Sequence, residues 1–147
     1  MKVKIKRLHE NSVIPKLSTA GSACVDVVAT KIIDNLKFAT VFLGFSTAIP
    51  EGYKAVIAPR SSFTQKGWIL QNTPCQIDAD YRGEWMLKFE AIPIYGSRDF
   101  KYYDFPYKPG DRVAQVWIEK VLPLEFEEVE ELESTERGSG GFGSTGK

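Results

Sequence analysis

The stretch Pro-Glu-Gly-Tyr-Lys-Ala-Val-Ile-Ala, residues 50–58, is a turn followed by a short apolar strand. Proline and glycine favour the turn, while tyrosine, valine and isoleucine favour extended backbone. The same arrangement recurs on both sides of this stretch and predicts further strands at residues 3–6, 25–29, 41–45, 85–92 and 112–118. No segment keeps a helical period, although we expect a short helix near residues 61–66. Many short strands separated by turns indicate an all-β sandwich, barrel or jelly roll.

The size and charge of the chain fit one soluble domain. It has 147 residues, of which 43% are hydrophobic, enough for one core but too few for two ordinary domains. Acidic and basic residues number 19 each, so no overall charge attracts the chain to nucleic acid or to an anionic membrane. The sequence shows no signal-peptide pattern and no apolar run near the roughly 20 residues that span a bilayer. We therefore expect a cytoplasmic protein.

The cysteine and histidine content excludes an ordinary zinc site. Cys24 and Cys75 show no metal-ligand spacing, and His9 is the single histidine of the sequence. Structural zinc sites need about four ligands of these types. We therefore expect reduced thiols without a metal.

The segment at residues 137–147 is rich in glycine and combines groups that suit a phosphate. A guanidinium, two hydroxyls and an aromatic ring come from Arg137, Ser144, Thr145 and Phe142. Glycines let backbone N–H groups converge on an anion without obstruction by a Cβ atom. We expect residues 1–136 to form the folded domain and residues 137–147 to form a mobile arm that a ligand orders. A flexible linker is the alternative, and a P-loop is excluded because no helix can follow the glycines.

A second polar cluster follows the predicted strand at residues 53–58. Arg60, Ser61 and Ser62 place a guanidinium and two hydroxyls at a strand end, where they could hold phosphate oxygens. The serines could equally cap a short helix.

A third cluster is a tight turn between apolar strands. Asp78 and Asp80 flank this turn together with Tyr81, and alternation puts the two carboxylates on one side if the backbone is extended. One carboxylate could take a proton from water, while the other stabilises the turn. Two further segments, 19–26 and 110–115, are turns that lead into strands and are ordinary when taken alone.

Taken in order, these segments resemble the five motifs of the trimeric dUTPase family. The matching stretches are Gly-Ser-Ala-Cys-Val-Asp at 21–26, Pro-Arg-Ser-Ser at 59–62, Ile-Asp-Ala-Asp-Tyr-Arg-Gly at 77–83, Gly-Asp-Arg-Val-Ala-Gln at 110–115 and Arg-Gly-Ser-Gly-Gly-Phe-Gly-Ser-Thr-Gly at 137–146. The third and fifth are very specific, and together the motifs span almost the whole chain. The resemblance implies a distorted, jelly-roll-like β-barrel that assembles as a homotrimer with active sites shared between subunits. It implies no nucleic-acid or membrane partner.

The resemblance also implies a reaction, the hydrolysis of dUTP to dUMP and pyrophosphate. Asp78 would activate a water for attack on the α-phosphorus. Mg²⁺ would be held mainly by the phosphates and by waters, and Asp26 would order one of those waters. Ser61 would contact the bridge between the α- and β-phosphates, with Arg60, Ser62 and Gln115 supporting the phosphates.

The remaining implied contacts concern the nucleoside and the arm. The hairpin through Asn72, Gln76 and Ile77 would bind uracil with backbone groups. Tyr81 would pack against the sugar and leave no room for a 2′-hydroxyl, and Met86 would lie near the substrate. Phe142 of the arm would stack on uracil, while the other arm residues, Arg137, Gly143, Ser144 and Thr145, would bind the γ-phosphate end.

The chain departs from the family pattern in three places. Cys24 and Val25 stand where the first motif usually has glycine followed by an aromatic residue, and Cys75 stands where glycine is frequent. The stretch at residues 95–107 is longer than usual, which suggests either a surface arm for a partner or an enlarged hairpin without a role.

Two other functions remain open at this point. dCTP deaminase has the same fold, but it needs a glutamate on the strand after the third motif. Lys88 occupies that position here, and Glu90 lies two residues further on. A dUTP-gated regulatory protein, in which the nucleotide orders the arm and switches a partner interface, is the second alternative.

Overall fold

The computed structural model describes residues 1–64, 66–94 and 101–141, which are almost entirely β-structure. The strands of these residues are, in chain order, β1 (Lys4–Arg7), β2 (Val25–Val28), β3 (Lys31–Asp34), β4 (Phe38–Phe42), β5 (Phe45–Ala48), β6 (Tyr53–Ala58), β7 (Trp68–Leu70), β8 (Cys75–Ile77), β9 (Met86–Ala91) and β10 (Arg112–Lys120). A short 3₁₀ helix, Ser61–Phe63, follows β6. The predicted all-β class is confirmed.

Three antiparallel sheets form the jelly-roll-like barrel. One four-stranded sheet has the order β2-β10-β6-β8, the other has the order β3-β4-β9-β7, and β1 pairs with β5. Buried residues of both four-stranded sheets belong to one hydrophobic cluster, with Phe45, Ile57, Leu87 and Phe89 each no more than 1% exposed. Burying each of these large side chains stabilises the fold by about 1.5–3 kcal/mol.

Strand β9 shows how the core also orients the candidate site. Its side chains alternate between exposed and buried from Met86 to Phe89. Leu87 and Phe89 point into the core, so Met86 and Lys88 must share the opposite, outward face. The hydrophobic pattern of this strand therefore decides which side chains face the solvent beside the hairpin.

The predicted strand at residues 41–45 is wrong, because it is two strands. Strand β4 ends at Phe42 and β5 begins at Phe45, with Gly44 between them at φ 74°. A Cβ atom at Gly44 would collide with the hydroxyls of Ser12 and Thr30. A left-handed backbone next to tightly packed side chains requires glycine, and it ends the strand.

Strands β3, β7 and β8 were not predicted. Strand β3, Lys-Ile-Ile-Asp, does not alternate, and β7 and β8 have only three residues each, too few for an alternating pattern to show in the sequence. The expected helix near residues 61–66 is reduced to the 3₁₀ turn, where Arg60 is the N-cap residue and no side chain caps the turn. The serines are therefore not used as helix caps.

The described half of the long segment, residues 101–107, is not a protruding arm. Trp68 Nε1 donates hydrogen bonds to the carbonyl oxygens of Tyr103 at 2.9 Å and Asp104 at 3.2 Å. Phe105 packs edge-on against Trp68, with 4.9 Å between ring centroids. The aromatic residues of this half therefore cover the core, while residues 95–100 lie outside the described residues.

Residues 121–139 follow β10 and are exposed throughout. They contain no strand and no helix. In the part of the chain that the structure describes, no helix is long and apolar enough to cross a membrane.

Candidate functional site

One polar pocket lies between the outward face of β9 and the connection from β7 to β8, the segment that the sequence predicted as a hairpin. Its two strands belong to different sheets and do not pair with each other, but we keep the name hairpin for this connection. Gln71 N–H donates to the Lys88 carbonyl at 2.8 Å, which anchors the start of the hairpin on β9. The pocket has a volume of about 400 Å³. We call it the hairpin pocket, and its lining residues are Gln71, Asn72, Cys75, Gln76, Ile77, Asp78, Tyr81, Glu84, Met86 and Lys88.

A turn after β8 presents the candidate catalytic carboxylate. Tyr81 N–H donates to the Asp78 carbonyl at 3.3 Å, so residues 78–81 form a turn rather than an extended segment. Asp78 and Asp80 are both exposed, but only Asp78 is among the residues that line the pocket. The Asp78 carboxylate has no hydrogen-bond or ion-pair partner within the described ranges. It is therefore free to accept a proton from a water in the pocket.

Tyr81 is held at the edge of the same pocket. Its hydroxyl donates to the Glu84 carbonyl at 3.2 Å, and a Cβ atom at position 83 would collide with the Tyr81 hydroxyl and ring. The Glu84 carboxylate accepts from Gly44 N–H at 2.9 Å. Glycine at position 83 thus leaves room for the side chain of Tyr81, a residue that lines the pocket and is 40% exposed.

A second cluster, which we call the guanidinium cluster, joins β2, β10 and the segment after β6. Asp26 Oδ1 accepts from Arg60 Nε at 2.9 Å, and Asp26 Oδ2 accepts from Arg112 Nη1 at 3.1 Å. Arg60 also approaches Ser62 Oγ at 3.4 Å, and Gln115 Nε2 donates to the Pro59 carbonyl at 3.3 Å. Two cations against one carboxylate leave a local positive charge, which suits a polyanionic ligand.

The Tyr107 ring stacks on Phe63, three residues after Arg60, with 5.6 Å between ring centroids. Burial raises the pKa of the Tyr107 phenol, while the nearby Arg60 charge opposes this and Asp111 adds to it. The phenol is therefore neutral at physiological pH, and it forms an apolar wall beside the arginine.

The two groups of residues lie at opposite ends of one sheet. Strand β8 pairs antiparallel with β6 so that Ile77 faces Ala55, which places Asp78 next to the start of β6. Arg60 follows the other end of β6, roughly 20 Å away for six extended residues at about 3.3 Å each. Gln115 pairs with both Ala58 and Asp26, so the whole guanidinium cluster belongs to that far end. Within a single chain, the two halves of the predicted site, the hairpin pocket and the guanidinium cluster, are therefore far apart.

The site residues that we expected from the sequence divide between these two places. The hairpin pocket contains Asn72, Gln76, Ile77, Asp78, Tyr81 and Met86, and the guanidinium cluster contains Asp26, Arg60, Ser62 and Gln115, with Ser61 adjacent. The Gln76 side chain accepts a 2.7 Å hydrogen bond from Lys54 Nζ, so its amide oxygen is already occupied. Among the residues that the structure describes, the Arg137 side chain donates to the Gly140 carbonyl at 2.9 Å and joins neither group. Phe142, Gly143, Ser144 and Thr145 lie outside the described residues.

Four residues of these sites were missed by sequence reasoning. Gln71, Glu84 and Lys88 line the hairpin pocket, and Arg112 binds Asp26. Alternation along β9 could have found Lys88, because Met86 had been selected and lies on the same face. No sequence pattern indicated that Glu84 would turn back to Gly44.

The donor set fits Mg²⁺ only through waters and substrate oxygens. The described residues contain no group of three or more His, Cys, Asp or Glu side chains that could hold a metal ion. At the guanidinium cluster both Asp26 oxygens already accept N–H groups, yet each carboxylate oxygen can also accept from a water. Mg²⁺ keeps several waters and commonly uses phosphates and one or two carboxylates. Asp26 is therefore suited to ordering a metal-bound water.

A separate cavity of about 330 Å³ is lined mostly by apolar side chains such as Ile5, Phe45, Trp85 and Ile118. Among its lining side chains only the Cys24 thiol is titratable. This cavity lacks the carboxylates and cations that phosphate chemistry needs, so the hairpin pocket and the guanidinium cluster remain the candidate site.

The chain is similar to known proteins over nearly its whole length. A protein-family model described as dUTPase matches residues 10–146. The deoxyuridine 5′-triphosphate nucleotidohydrolase of Fusobacterium nucleatum is 40% identical over 152 residues, covering 99% of both chains. The enzyme of the same name from Wolinella succinogenes is 40% identical over 150 residues, covering 100% of this chain and 95% of the relative. That from Oryza sativa is 41% identical over 146 residues, covering 98% and 80%.

Solved structures share the fold. The dUTPase of Staphylococcus bacteriophage 80alpha with dUPNHPP superposes with a TM-score of 0.81 at 24% identity and covers 99% of both chains. The dUTPase of Staphylococcus aureus phage phi11, described with a structural Mg(II) ion, gives a TM-score of 0.72 at 22% identity, with coverage of 91% and 100%.

Proposed function

Because the chain belongs to the dUTPase family, we propose that it is a dUTP diphosphatase that converts dUTP into dUMP and pyrophosphate. The observation that carries the proposal is the unpartnered Asp78 carboxylate in the hairpin pocket beside Tyr81. A free carboxylate next to a pocket of nucleoside size is the arrangement that water activation requires.

Asp78 acts as the general base. Its carboxylate takes a proton from a water whose oxygen attacks the α-phosphorus. The bond between the α-phosphorus and the bridging oxygen to the β-phosphate breaks, and pyrophosphate leaves. Little covalent help is needed, so positioning of the water and stabilisation of the developing charge supply most of the acceleration.

The guanidinium cluster binds the triphosphate. Arg60 and Arg112 supply positive charge, and the exposed Ser61 and Ser62 hydroxyls donate to phosphate oxygens. Gln115 keeps the segment after β6 in place through the Pro59 carbonyl. Bound Mg²⁺ supplies neutralisation of phosphate charge, and Asp26 orders one of its waters while holding both arginines.

A complete site requires more than one chain. Asp78 and Arg60 of one chain lie roughly 20 Å apart along β6, because about 3.3 Å of sheet separates successive residues. Activation at Asp78 and phosphate binding at Arg60 must therefore meet across an interface between copies. The proposed assembly is a homotrimer with three equivalent shared sites, since a ring of identical copies repeats the same contact at each interface.

The hairpin pocket selects the nucleoside. Backbone groups of Asn72, Gln76 and Ile77 hydrogen-bond uracil, and Met86 covers the sugar side of the pocket. The Tyr81 ring, fixed by its bond to Glu84, excludes a 2′-hydroxyl and so selects deoxyribose. Rejection of an analogue is strong where it leaves buried polar groups unpaired.

The glycine-rich arm closes the site. Arg137, Gly143, Ser144 and Thr145 bind the γ-phosphate end, and Phe142 stacks on uracil. Two bonds of residues 137–141, from Arg137 to Gly140 and from Gly138 to Thr135, are local to the segment. Such a segment is available to fold over a nucleotide held by other chains.

The pocket argues against the deaminase alternative. The Glu90 carboxylate accepts from Gln71 Nε2 at 2.8 Å and does not line the hairpin pocket. Lys88, a cation, lines the pocket in its place. No carboxylate is thus available where the deaminase needs one.

Pyrophosphate release tests the proposal directly. Purified protein with Mg²⁺ should release pyrophosphate from dUTP much faster than from dCTP, dTTP or UTP. Asp78→Asn should lower kcat about 10²- to 10⁴-fold, the usual contribution of a general base. Asp80→Asn is the matched control, because Asp80 belongs to the same turn but does not line the pocket. Wild-type turnover by a folded Asp78→Asn protein would disprove the assignment.

A further inference from the structure

We propose that Lys88 selects the pyrimidine, by donating a hydrogen bond from its ammonium group to the ring carbonyl that distinguishes uracil from cytosine. This inference rests on the proposed function and names a specificity-determining residue within it. Four features carry it: the direction of the side chain, its place along the pocket, its lack of a partner and the chemistry of the two bases.

The direction of Lys88 follows from β9. Its neighbours Leu87 and Phe89 are 0% and 1% exposed and point into the core. Lys88 therefore points outward with Met86, and both residues line the hairpin pocket. Because Lys88 lies within a six-residue strand of regular pairing, opposite Thr40 of β4, its backbone position does not depend on a loop.

The place of Lys88 corresponds to the base end of the pocket. The turn that carries Asp78 and Tyr81 leads into Met86 at the start of β9, and Lys88 lies about 7 Å further along that strand. There it is adjacent to the start of the hairpin, where Gln71 N–H donates to the Lys88 carbonyl at 2.8 Å. The reacting phosphate must lie near Asp78, so the base extends away from it, toward Asn72 and Lys88.

The ammonium group is available for a ligand. Within residues 1–64, 66–94 and 101–141 it forms no hydrogen bond or ion pair. Asp78, which lines the same pocket, forms no ion pair with it, and two further carboxylates of this region accept hydrogen bonds from other groups. Glu90 accepts from Gln71 Nε2 at 2.8 Å, and Glu84 accepts from Gly44 N–H at 2.9 Å.

Because the ammonium group of Lys88 can donate hydrogen bonds but cannot accept them, it distinguishes the two bases. Lysine has three N–H donors and no acceptor. Uracil presents a carbonyl oxygen at ring position 4, which accepts from such a donor, whereas cytosine presents an amino group that is itself a donor. Two opposed donors leave both unpaired, and a charged donor makes the difference larger. Lys88 therefore favours the uracil nucleotide and disfavours the cytosine nucleotide.

The test compares kcat/KM for dUTP and dCTP in Lys88→Met, Lys88→Arg and wild-type protein. Methionine keeps the length of the side chain and removes the donors, so the dUTP to dCTP ratio should fall about tenfold or more, the scale expected for one charged hydrogen bond. Lys88→Arg keeps the donors and should retain most of the ratio. Lys37→Met is the matched control, because Lys37 is an exposed lysine at the turn before β4 and lies against Phe38.

Substrate dependence separates selection from a structural role. dTTP carries the same ring carbonyl, so Lys88→Met should lower its kcat/KM by a factor similar to that for dUTP and leave dCTP unchanged or improved. An equal loss for all three nucleotides, or an unchanged ratio in a folded variant, would overturn the role of Lys88. Failure of the wild-type protein to release pyrophosphate from dUTP would instead overturn the proposed function itself.

Discussion

Cys75 lies in the wall of the hairpin pocket, but its thiol is expected to be unreactive. It is 9% exposed, and its thiol donates to the Gln71 carbonyl at 3.5 Å, across the start of the hairpin. Burial raises the pKa of the Cys75 thiol above its ordinary value of 9.0, and a backbone hydrogen bond only partly opposes this. A protonated, buried thiol packs like a small apolar side chain.

We predict that Cys75 resists alkylation in the native protein. In a Cys24→Ser variant Cys75 is the one remaining cysteine, and its reaction with iodoacetamide at pH 8 should be at least about tenfold slower than in denaturant, because the thiolate is the nucleophile. The rate should rise as the pH passes above 9.0, the direction that the raised pKa requires. Mass spectrometry of the labelled peptide measures both rates, and equal rates in the native and denatured protein would contradict the prediction.

The residues of the site were easier to predict than their partners. Asp78, Arg60 and Asp26 could be selected from their motifs because each carries a charge at a turn or a strand end. The resemblance to the family selected Asp78 rather than Asp80 as the general base, and the turn of residues 78–81 leaves Asp78 in the pocket. Whether the Lys88 side chain faces the pocket depends on which face of β9 is buried. Packing decides this, and the alternation along residues 86–89 only suggests it.

Elements that depend on long-range pairing could not be predicted. Strand β6 was predicted at residues 53–58, where the apolar run and the turn before it are both local signals. Strand β8 has three residues and exists because Ile57, Val56 and Ala55 of β6 pair with it. The break at Gly44 depends on Ser12 and Thr30, which are distant in sequence. Sequence alone does not reveal such neighbours.

Truncation after Glu136 should separate folding from catalysis. Residues 121–139 are exposed and contain no strand, so removing residues 137–147 should leave the thermal unfolding midpoint unchanged. Turnover of dUTP should fall severely, because the arm supplies the groups that close the site. Phe142→Ala alone should weaken nucleotide binding by about 1–3 kcal/mol, the range for base stacking on an aromatic ring.

Lys147 gives the matched control for this truncation. It lies outside the motif at residues 137–146, so removing it alone should not change turnover. Calorimetry and steady-state kinetics on the same preparations provide the two readings. A truncated protein that keeps wild-type turnover would show that the arm does not close the site.

The whole molecule explains why neither half of the site is sufficient. One end of the β2-β10-β6-β8 sheet carries two guanidinium groups without a general base, and the other end carries Asp78 without a phosphate-binding cation cluster. The length of β6 fixes the distance between Asp78 and the guanidinium cluster, because an extended strand cannot be shortened. The motifs predicted both ends, but their distance follows from the pairing of β6 with β8, which only the structure supplied.

Two inactive variants should restore activity when they assemble together. Asp78→Asn damages the hairpin pocket, and Arg60→Ala damages the guanidinium cluster, so each homotrimer should be nearly inactive. In mixed trimers some sites receive Asp78 from one chain and Arg60 from another. Random assembly at equal amounts should make about a quarter of the sites complete, because each intact half is present with a chance of one in two.

Co-expression of the two variants with different affinity tags isolates the mixed assemblies for a pyrophosphate assay. The control pairs Asp78→Asn with the double variant Asp78→Asn/Arg60→Ala, which provides no Asp78 carboxylate and should stay inactive. If mass measurement finds mixed trimers and the first pair still lacks activity, the two halves do not act across an interface. Each isolated mixed trimer has two chains of one variant and one chain of the other, so about one site in three should be complete. Recovery of about a third of wild-type activity would require sharing, because in a single chain the far ends of β6 cannot reach one another.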